Sequence, residues 1–333
     1  MLESKLSTFM VPYHILNYCN ESNLLQNSRI EVLDQDCSLK KHYRVTLNDH
    51  NSYIIVDASE ATGVADPLIK IHNFMLLNNF SAPKILAYSQ EKQLIVTEDF
   101  GDNSYKKILL EDPKREIELY MLAVKVLAYL GALRANIDLP IHNYISLNVF
   151  LIGAFENYYC TQADYVSSNY KQATEELKSI FNDLYNNISM QNTTIILRDY
   201  HIDNMMFLEK RDDYRKVGLL DIQDASIGHP AYDLVSLLED ARRDISPETV
   251  QKSKDYFFKL RPDIDVDEFN YSYKVLSMQR NLRILWLFAH LSKMPDKVRY
   301  KRFLPRVKNY IKNSITDPIF EKLLRWIDQY KIL

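Results

Sequence analysis

The chain has 333 residues, 47% hydrophobic and 26% charged, the proportions of an ordinary globular protein with room for about two domains. Its 41 basic and 44 acidic residues leave a net charge of −3, so no general basic field exists to recruit nucleic acid. Only 6 glycines occur, where average usage gives roughly 23, and none is spaced for G-x-G-x-x-G or G-x-x-x-x-G-K, which excludes both common glycine-rich phosphate cradles.

In chain order, Tyr43–Leu47 and Tyr53–Val56 are β-branched and aromatic runs around a polar hairpin loop at 48–52. Asp66-Pro67 predicts an N-cap and first turn for a helix reaching about Asn79. Ser81-Ala-Pro83 breaks it, and strands follow at Ile85–Tyr88 and Gln93–Thr97 before a polar linker at 98–104. Asp112-Pro113 then opens a helix with Leu119, Leu122, Val126, Leu130 and Leu133 on one stripe, and Ser246-Pro247 and Asp317-Pro318 repeat the capping device. A long helix with one apolar face is expected from Asp267 to about Met294. Thr193–Leu197, Met205–Leu208 and Val217–Leu220 read instead as a strand and a hairpin. Cys19, Cys37 and Cys160 are too dispersed for a disulfide framework or a C-x-x-C site, and the histidines form no H-E-x-x-H motif. The amino terminus shows no signal pattern, and the most apolar run, Ile284–Leu291, is too short to cross a bilayer. A cytoplasmic protein without membrane or nucleic-acid partners is the expectation.

The chemistry concentrates around the hairpin. Asp199 and Asn204 stand five residues apart on a loop leaving a strand, and Asp221 lies on the strand returning from the hairpin. Phosphoryl transfer from a nucleotide needs a carboxylate to position the acceptor hydroxyl, hard oxygen ligands for Mg²⁺, and a rigid frame for both. Asp199 suits the first need, and Asn204 with Asp221 the second.

Leu197-Arg-Asp-Tyr-His-Ile-Asp-Asn204, Gly218-Leu-Leu-Asp-Ile-Gln-Asp224 and His229-Pro-Ala-Tyr-Asp-Leu234 together resemble the aminoglycoside phosphotransferase/choline kinase family. Ser81–Leu86, Thr97–Asp102 and Met278–Arg283 fit as well, so the resemblance covers nearly the whole chain and is nearest to the bacterial branch of anomeric N-acetylmuramate and N-acetylglucosamine kinases. It implies an α+β, protein-kinase-like, two-lobed fold: a nucleotide-binding β-sheet lobe over 1–97, a hinge over 98–104, and a mainly helical catalytic and substrate lobe over 105–333. It implies ATP and Mg²⁺, with Asp199 as base, Asn204 and Asp221 as metal ligands, Asp233 as a buried brace, and the backbone of Glu98, Asp99 and Phe100 binding adenine. His201 is expected to shape the loop.

Two departures stand out. Kinases place a lysine on the third strand, yet Tyr53–Asp57 ends in aspartate, and only Glu60 lies near the following helix. A cation from Lys40, Lys41 or Arg44 is expected to reach the phosphates instead, Lys41 and Arg44 foremost, with Ser38 and its neighbours excluding water. For the small-molecule acceptor, a carboxylate-bearing sugar favours arginine, and Arg242, Arg243, Arg280 and Arg283 are candidates, with Gln279 and Asn281 for hydroxyl groups. Arg280 and Asn281 lead this set. Choline or an aminoglycoside as acceptor, or a silent kinase-like binding protein, are the alternatives.

Overall fold

The computed structural model describes residues 11–33, 40–48, 51–61, 63–133, 136–159, 169–189 and 193–332. Cys37, Ser38, Cys160 and the amino-terminal residues to 10 lie outside them. Two compact units emerge, 1–107 with 205–224 and 108–204 with 225–333.

In the first unit, β1 (Arg29–Leu33), β2 (Lys41–Thr46), β3 (Ser52–Asp57), β4 (Ile85–Ser89) and β5 (Leu94–Glu98) form one antiparallel sheet in the order β1-β2-β3-β5-β4. Side chains alternate between its faces. Tyr43, Val45, Ile55 and Val96 enclose a core with Ile15 and Cys19 of α1 (Tyr13–Glu21). Val56 and Ile95 pack with Ala65 and Leu68 of α2 (Ala65–Leu77). That helix begins at Ala65, with Val64 at the cap and no side-chain capping bond. Asp66 therefore sits inside the first turn, where its charge suits the helix dipole, rather than at the cap, and the helix ends at Leu77 rather than Asn79.

Helix α3 (Tyr105–Glu111) follows the sheet. Further on, β6 (Thr194–Ile196) pairs antiparallel with β9 (Ser226–Gly228) in the second unit, while the intervening hairpin of β7 (Met205–Phe207) and β8 (Val217–Leu219) belongs to the first. Chain order alone puts this hairpin with the carboxy-terminal residues. Hydrogen bonds decide otherwise: Leu219 N–H donates to Ser81 O at 2.7 Å, Ser81 Oγ to Arg215 O at 2.6 Å, and Phe207 N–H to Asn103 O at 2.7 Å.

The second unit holds α4 (Glu116–Ala132), α5 (Tyr144–Tyr159), α6 (Tyr170–Tyr185), α7 (Ala231–Leu238), α8 (Pro247–Leu260), α9 (Val266–Leu291), α10 (Leu304–Ser314) and α11 (Glu321–Tyr330). Ser246 caps α8 as expected, accepting from Thr249 N–H, a contribution of about 0.5–2 kcal/mol. Asp112 and Asp317 accept from Lys114 N–H and Ile319 N–H at single 3₁₀ turns that lead into α4 and α11, whose own N-caps are Arg115 and Phe320. Helix α9 contacts α5, α7 and α10. It is buried round most of its circumference, including Gln279, Arg280 and Asn281, so the expectation of one apolar face is too narrow. Among the described residues no helix is long and apolar enough to cross a membrane.

Gly218 on β8 lets the Phe100 ring approach closely. A Cβ there would lie 2.7 Å from Phe100 Cδ2 and 3.1 Å from Met206 Cβ, while the Arg211 guanidinium covers the ring at 5.1 Å from its centroid. Gly218→Ala should therefore destabilise the protein by about 1–3 kcal/mol through overpacking, read as a lower urea midpoint at unchanged m-value.

Candidate active site

The segment after β6 is shaped by helix α7. Asp233, buried in the first turn of that helix, accepts the backbone N–H groups of Leu197 and of Arg198, the latter at 2.8 Å. Ser236, one turn on, donates to Arg198 O at 3.2 Å. Both polar backbone groups of Arg198 are thus held by one helix, which stabilises its left-handed φ of 69°, a conformation that costs a bulky residue of order 1–3 kcal/mol. Asp233 does not cap α7, whose N-cap is Pro230. Burial pushes its pKa up to about 7, and the charge of Asp199 adds to the rise, while the two N–H donors and Arg280 pull it back.

Asp199 follows and is exposed. The chain then turns back on itself: His201 N–H donates to Asp199 O at 3.1 Å, Asn204 N–H to His201 O at 3.0 Å, and Asn204 Nδ2 to Asp199 O at 3.0 Å. The five-residue spacing is what allows the asparagine amide to close this loop on the aspartate's own carbonyl. Tyr200 anchors it from below through its hydroxyl to Ala123 O at 2.8 Å. Buried His201 has Nε2 3.5 Å from Asn204 Nδ2.

Asp199, Asn204, His201 and Asp233 lie in the second unit, and Asp221 lies in the first. Asp221 also adopts a left-handed conformation, φ 57°. Its carboxylate receives the ammonium of Lys40 at 2.6 Å; the lysine side chain is 7% exposed and that of Asp221 41%. The three candidate cations near the start of β2 are separated by their partners. Lys41 lies at the exposed surface against Glu60 at 2.7 Å. Arg44 turns to the linker, holding both oxygens of Asp99 at 2.6 and 3.1 Å, Asp102 at 2.6 Å and Gly101 O at 3.0 Å. Lys40 and Asp221 together surround His42, whose pKa falls to about 4 through burial and the Lys40 charge. Asp57, at the end of β3, bonds to His14 Nε2 and Ser59 N–H, and no glutamate occurs on α2.

Glu98 closes β5 and pairs with Arg211 at 2.9 Å, the arginine that also lies over Phe100. On α9, Asn281 Nδ2 donates to Glu239 at 2.6 Å and Gln279 Nε2 to Leu147 O at 3.1 Å. Arg242 pairs with Asp240 at 3.8 Å and Arg243 with Glu116 at 2.9 Å. Arg280 Nη2 donates to Ser236 Oγ at 2.8 Å. Sequence reasoning missed Ser236 and Arg198. The three-residue spacing from Asp233 was the available signal for the serine.

Among the described residues no group of three or more His, Cys, Asp or Glu forms a metal cluster. Magnesium is usually held by one or two side-chain oxygens and the substrate's phosphates. In the second unit the Asn204 amide nitrogen is committed to Asp199 O, so its carbonyl oxygen is the atom that could meet a cation. In the first unit Asp221 has a partly exposed carboxylate.

A model of the APH phosphotransferase enzyme family matches residues 38–266. An N-acetylmuramate/N-acetylglucosamine kinase of Caulobacter vibrioides is 32% identical over 283 residues, covering 81% of this chain and 76% of that protein. A choline/ethanolamine kinase family protein from Mesorhizobium loti superposes with TM-score 0.63 at 10% identity, over 95% of this chain and 98% of that one. Aminoglycoside phosphotransferase APH(2'')-Ib, with ADP bound, does so with TM-score 0.59 at 13% identity, over 93% and 99%. The fold is thus the α+β, protein-kinase-like one.

Asp233→Asn replaces one acceptor by an NH₂ group facing an N–H donor. It should cost about 1–3 kcal/mol, measured by urea unfolding. Because the folded-state pKa, about 7, is raised above the ordinary value of 3.8, the native state binds the proton more tightly, and the aspartate's contribution falls as pH rises from about 4 to about 7. The gap between wild type and Asp233→Asn should therefore be larger at pH 5 than at pH 8.

Proposed function

The chain belongs to the APH phosphotransferase enzyme family, and from that premise we propose that it is an ATP- and Mg²⁺-dependent kinase for the anomeric hydroxyl of N-acetylmuramate or N-acetylglucosamine. Membership makes it a phosphotransferase with an alcohol acceptor, working on a small molecule and a nucleotide. The sugar reading draws on the Caulobacter vibrioides relative. The observation that carries the catalytic part is the closed Asp199–Asn204 loop, which leaves the Asp199 carboxylate exposed on a segment braced by Asp233.

In this reading the acceptor hydroxyl donates its hydrogen bond to Asp199. The carboxylate takes the proton as the new oxygen–phosphorus bond forms and the bond between the γ-phosphorus and its bridging oxygen breaks. Asn204 and Asp221 are the side chains that would hold Mg²⁺, which when bound supplies positive charge to the nucleotide phosphates. Lys40 takes the place of the missing third-strand lysine: it is the buried cation already beside Asp221. Arg44 acts one step removed, by holding Asp99 and Gly101 so that the backbone of 98–100 keeps the shape adenine would meet. ATP as donor places the reaction in the cytoplasm.

The test is ATP-dependent turnover of both amino sugars, with phosphorus NMR locating the phosphate, against kanamycin and choline. Faster turnover of kanamycin or choline would replace the sugar assignment; no turnover of any acceptor would leave a silent binding protein. Asp199→Asn should lower kcat by about 10²–10⁴-fold, the usual contribution of a positioned base, with nucleotide affinity within a few-fold of wild type. Asp221→Ala should remove the Mg²⁺-dependent increment in ATP affinity, measured calorimetrically with and without the metal.

A further inference from the structure

The arginines of the second unit divide sharply by their partners. Arg242 and Arg243 have carboxylates at 3.8 and 2.9 Å. Arg198, Arg280 and Arg283 have none within ion-pair distance among the described residues. Buried nitrogens without a hydrogen-bond partner occur on all five arginines, two of them (Nε and Nη1) on Arg280, so the missing carboxylate is what sets the three apart. Arg280 is 3% exposed. A buried guanidinium without a contacting anion is costly, by several kcal/mol, and its charge is offset only at longer range, by Asp199, Asp240 and Asp233.

These three charges are gathered. The Arg198 and Arg283 guanidinium carbons lie 4.9 and 5.9 Å from the centroid of one ring, Phe150, which is 38% exposed on α5. Arg280 is one helical turn from Arg283 and is linked through Ser236 to the carbonyl of Arg198. His142, 5.8 Å from Phe150 between ring centroids, reports the resulting field: burial and the charges of Arg198 and Arg283 push its pKa down to about 3. Like charges this close repel unless an anion sits among them.

We propose that Arg198 and Arg283, both close to the Phe150 ring, with Arg280 one helical turn from Arg283, form a subsite that reads a carboxylate on the acceptor sugar. It rests on the kinase reading above and deepens it. The acceptor is the partner indicated because Arg198 directly precedes the candidate base Asp199, while the candidate nucleotide contacts Lys40 and 98–100 belong to the other unit. A guanidinium fork matches both oxygens of a carboxylate, and the partly exposed ring offers an apolar face for the sugar's C–H groups. The ligand class is therefore an acidic amino sugar, and N-acetylmuramate, which differs from N-acetylglucosamine by a carboxylate-bearing ether substituent, is the fitting probe.

The experiment compares kcat/KM for N-acetylmuramate and N-acetylglucosamine in wild type, Arg283→Gln and Arg283→Lys, with thermal melts to verify folding. Arg283 is only half-buried, so its variants are chosen over those of Arg280. In Arg283→Gln the ratio of N-acetylmuramate to N-acetylglucosamine efficiency should fall at least tenfold, mainly through KM, and Arg283→Lys should restore part of it. An equal loss for both sugars, or no loss, would overturn the subsite. If wild type phosphorylates neither sugar, the sugar-kinase reading fails on its own, and calorimetry decides the subsite separately. Tighter binding of N-acetylmuramate than of N-acetylglucosamine to wild type, lost in Arg283→Gln, supports it; equal binding, or none, overturns it.

Discussion

Asp233 and Ser236, one turn apart on α7, grip the backbone of Leu197 and Arg198, and the arrangement around Asp199 depends on that grip. A carboxylate buried this deeply carries a large desolvation cost, offset here by two backbone N–H donors of the kind that contribute most to a charged acceptor. In return the strained φ of Arg198 is imposed from outside the loop. Asp199 is left exposed on a segment whose carbonyl is in turn tied by Asn204. The base candidate is therefore positioned from both sides, by a helix behind it and by its own loop ahead of it.

Charge is distributed differently in the two units. In the first, Lys40 pairs with Asp221, Arg44 with Asp99 and Asp102, and Arg211 with Glu98. Half-buried pairs of this kind hold backbone segments in place more than they stabilise, since exposed ion pairs contribute little. In the second unit, Glu116 serves Arg243, Ser246 and Thr249 at once, while Arg198, Arg280 and Arg283 have no acid within ion-pair distance among the described residues. One unit is electrostatically closed around its candidate nucleotide residues; the other keeps positive charge in reserve beside the candidate base.

Much of the fold was legible in the sequence because its signals are local. The β-branched runs at 43–47, 53–56 and 93–97 became β2, β3 and β5, Ser246 capped α8, and Asp112 and Asp317 capped the 3₁₀ turns that lead into α4 and α11, since hydrophobic alternation and capping act within a few residues. Asp66 misled because Asp-Pro fits both a cap and a first turn, and the hydrogen bond that separates them is visible only in three dimensions. The D-x-x-x-x-N spacing was likewise local, its amide closing a ring of the backbone that bears it.

The remaining decisions belonged to tertiary structure. The sequence put Lys41 and Arg44 ahead of Lys40, but the positions of Glu60, Asp99 and Asp221 send the three cations to different partners and leave Lys40 beside Asp221. The hairpin at 205–219 joined the first unit through hydrogen bonds to Ser81 and Asn103. The sequence put Arg280 ahead of Arg242, Arg243 and Arg283 as a substrate candidate without separating the other three; the acids near each did that, for Arg243 one lying 127 positions away in the chain. The sequence determined which residue types were on hand and where most strands and helices form; only the fold determined which charges were satisfied, because an ion pair acts over a few ångströms of space irrespective of separation along the chain.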